Sequence, residues 1–252
     1  SLLILAVFAA LLPMQLSNFG SNQGRSSRTA ACMANQQRLA LAWNLYSADN
    51  LGRLPANYSA SSPNATLWVN GNLDFGSSSP DNTNVSSITR GLLFPYVQNL
   101  SCYVCPADPV RVRGRSTTNL TPMVRSYSMN AYMNGSAWTA GFHLFLNRNQ
   151  IRKPQETFVF IDERYDSIND SMFYVDMNGY PANASATAIV DYPGFYHDNG
   201  AVLAFADEHV EHWIWSDPRT TPPPAATDLR LNVPSPNNRD MARLQAVTTY
   251  KD

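Results

Sequence analysis

This 252-residue chain is poor in charge: 15% of its residues are Asp, Glu, Lys or Arg, and the formal net charge is −1. So neutral a balance removes the electrostatic case for nucleic acid and leaves little for an anionic membrane surface. Cysteine is scarce, with Cys32, Cys102 and Cys105 only. Cys102 and Cys105 form one C-x-x-C without a second pair, so no four-thiolate zinc site can be completed. The pair does not open a helix in a βαβ context, which argues against a thioredoxin-like role. The sequence has no G-x-S-x-G, no H-E-x-x-H and no phosphate-binding glycine loop. Long hydrophobic runs are also missing. The apolar stretch at residues 2–12 would span about 16 Å as a helix, half a hydrocarbon core, before Pro13 ends it.

What is present is Asn, Ser and Thr in quantity, with 11% aromatics that suit a β-rich core. A surface carried by amides and hydroxyls fits a secreted protein, or one that packs against copies of itself. N-x-S/T sequons begin at Asn57, Asn64, Asn84, Asn99, Asn119, Asn134, Asn169 and Asn183, and each permits glycosylation if it lies at the surface. From Arg28 onward Cys32, Leu39, Ala42, Trp43 and Tyr46 recur at helical spacing and put an apolar stripe on one face. Gly52 and Pro55 stop that helix. Gly20 and Gly24, with Pro13 before them, predict an interruption between Pro13 and Gly24. Beyond Pro55 short β-like runs follow, the best at residues 67–69, 158–161, 172–175, 202–206 and 210–215. Residues 88–94 read as a short helix, 219–236 as a Pro-rich extended arm, and 240–248 as a closing helix. The expected fold is α+β, with a helical stalk over residues 1–52 and a β-rich head over 53–252.

Three of the four histidines lie in Y-H-D-N-G-A-V-L-A-F-A-D-E-H-V-E-H-W, from Tyr196 to Trp213. A two-residue turn at Asp207 and Glu208 would pair Ala206 with His209, Leu203 with His212 and Val202 with Trp213. His209 and His212 then leave opposite faces of one strand. His197 stands about 30 Å of extended chain before Ala206, so the three cannot share a metal unless the chain before Ala201 folds back. The hairpin is therefore expected to be structural, and its histidines to carry no catalytic metal. A buried His197 would hydrogen-bond backbone or a carboxylate. The acidic run Asp162, Glu163, Asp166 and Asp170 is the candidate calcium set, although it lacks the glycine of an EF-hand loop. The same residues with His197 or His209 would be the acid–base groups of an enzyme.

Several stretches together resemble a known family. I-L-A-V-F-A-A-L-L-P followed by R-T-A-A-C-M-A-N-Q-Q-R-L-A-L-A-W-N-L-Y-S-A-D-N-L-G-R-L-P is similar to the N-terminal helix of type IV pilin-like and type II secretion pseudopilin-like proteins. In particular the chain resembles the group with a prepilin-type N-terminus and a C-terminal H-X9-DG domain. Here His197, nine residues and Asp207 match, with Glu208 in place of the glycine. C-P-A-D from Cys105, R-S-Y-S-M-N from Arg125 and F-V-F-I-D-E from Phe158 are further family-like stretches. Aligned at Pro13, about nine residues of the family pattern precede Ser1, and restoring them gives an apolar helix of about 20 residues, the length a bilayer requires. The family's early glutamate has no counterpart, since position 5 is Leu5.

The resemblance implies a structural subunit, not an enzyme and without a cofactor. Such a subunit waits in the inner membrane, meets a prepilin peptidase and an assembly machinery, and polymerises with itself into an extracellular filament at the cell surface. Leu2, Leu3, Leu5, Phe8, Leu11, Leu12 and Pro13 would form the filament core. The expected staple is a Cys32–Cys105 disulfide, joining stalk to head across a long loop and worth roughly 2–4 kcal/mol. Its alternatives are a Cys102–Cys105 bridge or three free thiols. The rival functions are a membrane-anchored binding module and a secreted hydrolase-like enzyme.

Overall fold

The computed structural model describes residues 2–58, 66–75, 79–113, 120–135 and 140–252, with side chains of the first helix from Gly24 onward and without those of Arg113 and Leu120. That helix, α1 (Leu2–Asp49), is one continuous element. The interruption expected between Pro13 and Gly24 is therefore not a break in the backbone. Proline removes a single intrahelical bond, and the Ala- and Leu-rich turn before it has high helix propensity. The side chains of the expected filament core, Leu2 to Pro13, lie outside the described residues. Among the described residues no helix is long and apolar enough to cross a membrane.

The apolar stripe from Arg28 onward is real. Cys32, Gln36, Leu39, Ala40, Trp43 and Ser47 are buried at three- and four-residue spacing, while Gln37, Arg38, Leu41 and Leu45 face out. Tyr46 packs edge-on against Tyr96, with ring centroids 6.2 Å apart. The helix ends where Leu51 adopts the left-handed conformation (φ 56°) and the Gly52 N–H closes onto the Ser47 carbonyl at 2.8 Å.

The head is organised on a five-stranded sheet. Its strands are β3 (Tyr127–Asn130), β4 (Phe158–Asp162), β5 (Met172–Phe173), β7 (Gly200–Phe205) and β8 (Val210–Ile214), in the order β5-β3-β4-β7-β8. All neighbours are antiparallel except β5, which runs parallel to β3. Two small ribbons flank it, β1 (Val112–Arg113) with β2 (Leu120–Thr121) and β6 (Ala188–Ile189) with β9 (Val233–Pro234). Short helices α2 (Ser86–Thr89) and α3 (Phe94–Val97) replace the single helix expected over 88–94, because Pro95 opens a helix as readily as it closes one. The last helix, α4 (Arg239–Ala246), is capped by Asn238, whose side chain accepts the Asp240 and Met241 N–H groups.

α1 lies across β7, β4 and β8. Its buried residues belong to the same apolar core as Phe158, Phe160, Leu203, Trp213 and Leu244. Stalk and head thus share one core from Cys32 to Trp43. Residues 67–69 form an irregular segment bent at 68 and 69 instead of the expected strand. Trp68 is nonetheless fully buried, 5.1 Å from Phe160, with its indole N–H on Asn57 Oδ1 and the Ser171 carbonyl.

The β7–β8 register differs by one residue from the expected one. Ala201 faces Trp213, Val202 faces His212 and Ala204 faces Val210. The turn consequently has three residues, Ala206, Asp207 and Glu208, with Glu208 left-handed at φ 78°. Phe205 and His209 close it through the Phe205 N–H on the His209 carbonyl at 2.9 Å. A type I turn followed by one left-handed residue is the next commonest hairpin connection, and here it supplies the extra residue.

Candidate functional site

Four side chains from four separate segments meet under α1. Cys32 comes from the helix and Cys105 from the loop after the 3-10 turn Leu100–Tyr103. Asp162 comes from the end of β4, and His197 from the turn leading into β7. Their ligand atoms all lie within 4.8 Å of one another. Cys32 Sγ stands 3.2 Å from Asp162 Oδ1, Cys105 Sγ 3.3 Å from His197 Nε2, and His197 Nε2 3.2 Å from Asp162 Oδ2. None of the four is more than 2% exposed.

Local sequence explains the convergence. Asp198 and Asn199 both take left-handed backbone, at φ 50° and 61°, and these are the residue types that tolerate it. They turn the chain back so that the His197 N–H reaches the Gly200 carbonyl at 3.3 Å. This is the fold-back before Ala201 on which any approach of the histidines depended, and it brings His197 to 6.0 Å from His212, where the extended hairpin reading placed it well away. His212 Nε2 lies 2.8 Å from the His197 carbonyl and does not enter the cluster. His209 sits at the other end of the hairpin, stacked on Phe205 and bonded to Asp207 and Glu211.

Each cluster residue is held from behind. Asp162 accepts the Gln36 amide at 2.7 Å on Oδ1 and the Val202 N–H at 3.0 Å on Oδ2. Tyr127 Oη lies 3.3 Å from Cys32 Sγ, and the Ala107 N–H donates to Cys105 Sγ at 3.4 Å. Thr29 Oγ1 lies 3.0 Å from His197 Nδ1 and donates to the Arg25 carbonyl at 3.1 Å. Burial alone would lower the imidazole pKa, but the hydrogen bonds it donates to Asp162 and Cys105, with their charge, outweigh it and hold His197 at about 10. Burial, the Cys105 hydrogen bond and the Asp162 charge push the Cys32 thiol well up. Burial also raises Cys105, yet hydrogen bonds from Cys32 and His197 bring it below the ordinary thiol value.

Cys32 and Cys105 do come together, as the family-like C-P-A-D stretch implied, but all three cysteines are free thiols here and the expected disulfide is not formed. Cys102, also buried, faces Arg38 instead, with Nη1 3.9 Å from Sγ. The candidate calcium set does not assemble among the described residues. Asp162 turns into the thiol cluster, whereas Asp166 closes a buried bidentate pair with Arg164 and also accepts the Ala225 N–H. Glu163 accepts from Ser167, and Asp170 accepts the Met172 N–H. The four carboxylates alternate along a strand end and its turn, so successive side chains leave in different directions. Thr29, Gln36 and Tyr127 were not singled out from sequence. Besides C-P-A-D, the stretches R-S-Y-S-M-N and F-V-F-I-D-E supply Tyr127 and Asp162, which are register partners across β3 and β4.

Among the sequons, Asn57 is completely buried, its amide donating to the Met129 and Asn130 carbonyls, so the folded chain offers no acceptor there. Asn84, Asn99 and Asn183 are exposed, while Asn134 and Asn169 are half-buried. Asn64 and Asn119 lie outside the described residues. A cavity of about 1040 Å³ opens beside α1, between Ala31, Asn35, Ile88, Leu100 and Met123, and among the described residues no charged side chain lines it. The chain matches no family model, no curated protein and no solved structure.

Proposed function

We propose that this chain is the structural subunit of an extracellular pilus-like or pseudopilus filament, assembled through the N-terminal part of α1. The observation that carries this reading is the division of labour along one helix. From Cys32 onward α1 is an inner element of the head, while Gly24 to Arg28 are exposed and the helix continues to Leu2. Leu2 to Thr29 is about 40 Å of helix at ~1.5 Å per residue. The first 24 residues contain no charged side chain, and their longest apolar run is at residues 2–12. A helix apolar all round at one end and rooted in a globular head at the other needs an apolar environment for the free end. Lipid of the inner membrane supplies it before assembly, and the same segments of neighbouring subunits supply it afterwards. Heads would then pack by heterologous contacts that do not close into a ring, which yields an open helical polymer.

The separation of chemistry from cavity supports a structural role over an enzymatic one. The titratable cluster is sealed, and among the described residues the cavity beside α1 is lined by no Asp, Glu, His, Cys, Lys or Arg, its polar groups being amides and hydroxyls such as Asn35 and Ser101. The reading also gives the resemblance a physical sense, because His197 and Asp207 mark the two ends of the segment that folds back under α1 and then turns into β8. The test is negative-stain microscopy of the full chain after detergent is removed. Thin helical filaments of uniform diameter are expected. A folded, monodisperse monomer under the same conditions would overturn the proposal in favour of a membrane-anchored module.

A further inference from the structure

We infer that Cys32, Cys105, Asp162 and His197 form a closed structural zinc site that fastens α1 to the head. Two thiolates, one imidazole and one carboxylate are ligand types that zinc accepts, and four protein ligands without an open position is the arrangement of structural sites. Four atoms at about 2.0–2.3 Å from a shared centre stand roughly 3.3–3.8 Å apart at tetrahedral angles. Cys105 Sγ and His197 Nε2 stand 3.3 Å apart, Asp162 reaches Cys32 through Oδ1 and His197 through Oδ2 at 3.2 Å each, and one ligand atom from each residue falls within 4.8 Å of the others.

The histidine decides between a ligand set and a catalytic relay. In a Cys–His–Asp relay the two ring nitrogens divide, one to the nucleophile and the other to the carboxylate. Here a single nitrogen, Nε2, faces both Cys105 Sγ and Asp162 Oδ2. The other nitrogen is committed elsewhere. Thr29 Oγ1 spends its one proton on the Arg25 carbonyl, so at His197 Nδ1 the hydroxyl can only accept. Nδ1 therefore carries hydrogen, and Nε2 is the atom shared between Cys105 Sγ and Asp162 Oδ2, where a proton sits in the metal-free protein and a cation would take its place. Nδ1–H on a fixed oxygen is also how metal-bound histidines are oriented.

The remaining partners fit the same assignment. Tyr127 Oη is placed to donate to a Cys32 thiolate, the Ala107 N–H donates to Cys105, and the Gln36 amide and Val202 N–H steady Asp162. Every ligand thus has a donor or acceptor behind it, as tuned metal sites do. Binding requires both cysteines as thiolates and His197 neutral at Nε2, so protons leave as the metal enters. The ligands come from α1, the loop after residue 103, β4 and the turn before β7, which makes the metal a cross-link among four segments. None of this depends on whether the chain polymerises.

The experiment uses the full chain, produced with zinc in the medium and purified under a reducing agent without chelator. Elemental analysis is expected to find one zinc per chain. Replacement by cobalt(II) should give the intense visible bands of a tetrahedral site, with thiolate-to-metal charge transfer. Cys105→Ser and Asp162→Asn should lose the metal, while Cys102→Ser, whose thiol is buried outside the cluster, should keep it. Should the first two variants fail to fold, the wild-type chain still decides. A folded, reduced wild-type chain that takes up neither zinc nor cobalt overturns the assignment. So does a Cys32–Cys105 disulfide in a non-reducing peptide map of the zinc-grown protein, or zinc retained by Cys105→Ser.

Discussion

Glu208→Gly is expected to stabilise the protein, and the structure sets the size of the gain. Glu208 is the third residue of the β7–β8 turn and holds φ at 78°. Its N–H donates to the Phe205 carbonyl at 3.0 Å, a bond that glycine keeps. Among the described ion pairs its carboxylate has no part. A side chain in left-handed backbone costs roughly 1–2 kcal/mol, which glycine removes. Glycine in turn gives the unfolded chain more freedom, at about 0.5–1 kcal/mol. The net gain is therefore about 0.5–1 kcal/mol, or a rise in Tm of roughly 1–4 °C for a chain of this length. Denaturant titration followed by circular dichroism measures it, with Glu208→Ala as the control that retains the strain. A Glu208→Gly variant less stable than wild type, or no better than Glu208→Ala, would refute the turn geometry.

Other expectations follow from buried polar groups. Burial is the main force that raises Asp191 to about 8, helped by the neighbouring Asp170 charge and opposed by the Tyr174 N–H on Oδ2 at 2.6 Å. Glu163 is the other acid facing it. The folded pKa exceeds the unfolded value near 3.9, so stability from this group is complete below about pH 4 and is lost as pH rises through 8, at up to about 1.4 kcal/mol per pH unit. Asp191→Asn should gain on wild type between pH 5 and 8 in chemical denaturation, and a constant difference would contradict this. Asn57→Ala should destabilise by about 1–3 kcal/mol, since two buried carbonyls lose their donor. Glycopeptide mapping of a secreted sample should find Asn57 bare even where Asn84, Asn99 or Asn183 are occupied.

The parts of the fold legible in the sequence are those whose signal is local. The stripe of α1, the apolar runs of β4, β7 and β8, and the capped helix α4 all announce themselves by periodicity or by a cap. β3 does not: Tyr-Ser-Met-Asn from Tyr127 alternates apolar and polar residues over only four positions, and its polar members Ser128 and Asn130 are as buried as Tyr127 and Met129, so the alternation marks no solvent face. The hairpin register slipped by one because a residue that disfavours left-handed backbone occupies the position that needs it. Register depends on turn chemistry, and Glu208 conceals it. The nearness of Cys32 and Cys105 could be read from the helix stripe and the C-P-A-D stretch. That Asp162 and His197 join them could not, since it rests on the reversal at Asp198 and Asn199 and on the pairing of β4 with β7. These are tertiary facts that no spacing in the chain records.

The account stands or falls on α1 having two jobs, one in the head and one between subunits. Sedimentation of the full chain beside Leu5→Asp and Phe8→Asp, with circular dichroism and tryptophan fluorescence on the soluble fractions, separates the two. Wild type should pellet as filaments, whereas either variant should stay soluble with the head spectrum unchanged, because a carboxylate in a shared apolar core costs several kcal/mol per subunit unless it is paired. Variants that pellet as filaments to the same extent as wild type would contradict the assembly role assigned to this helix.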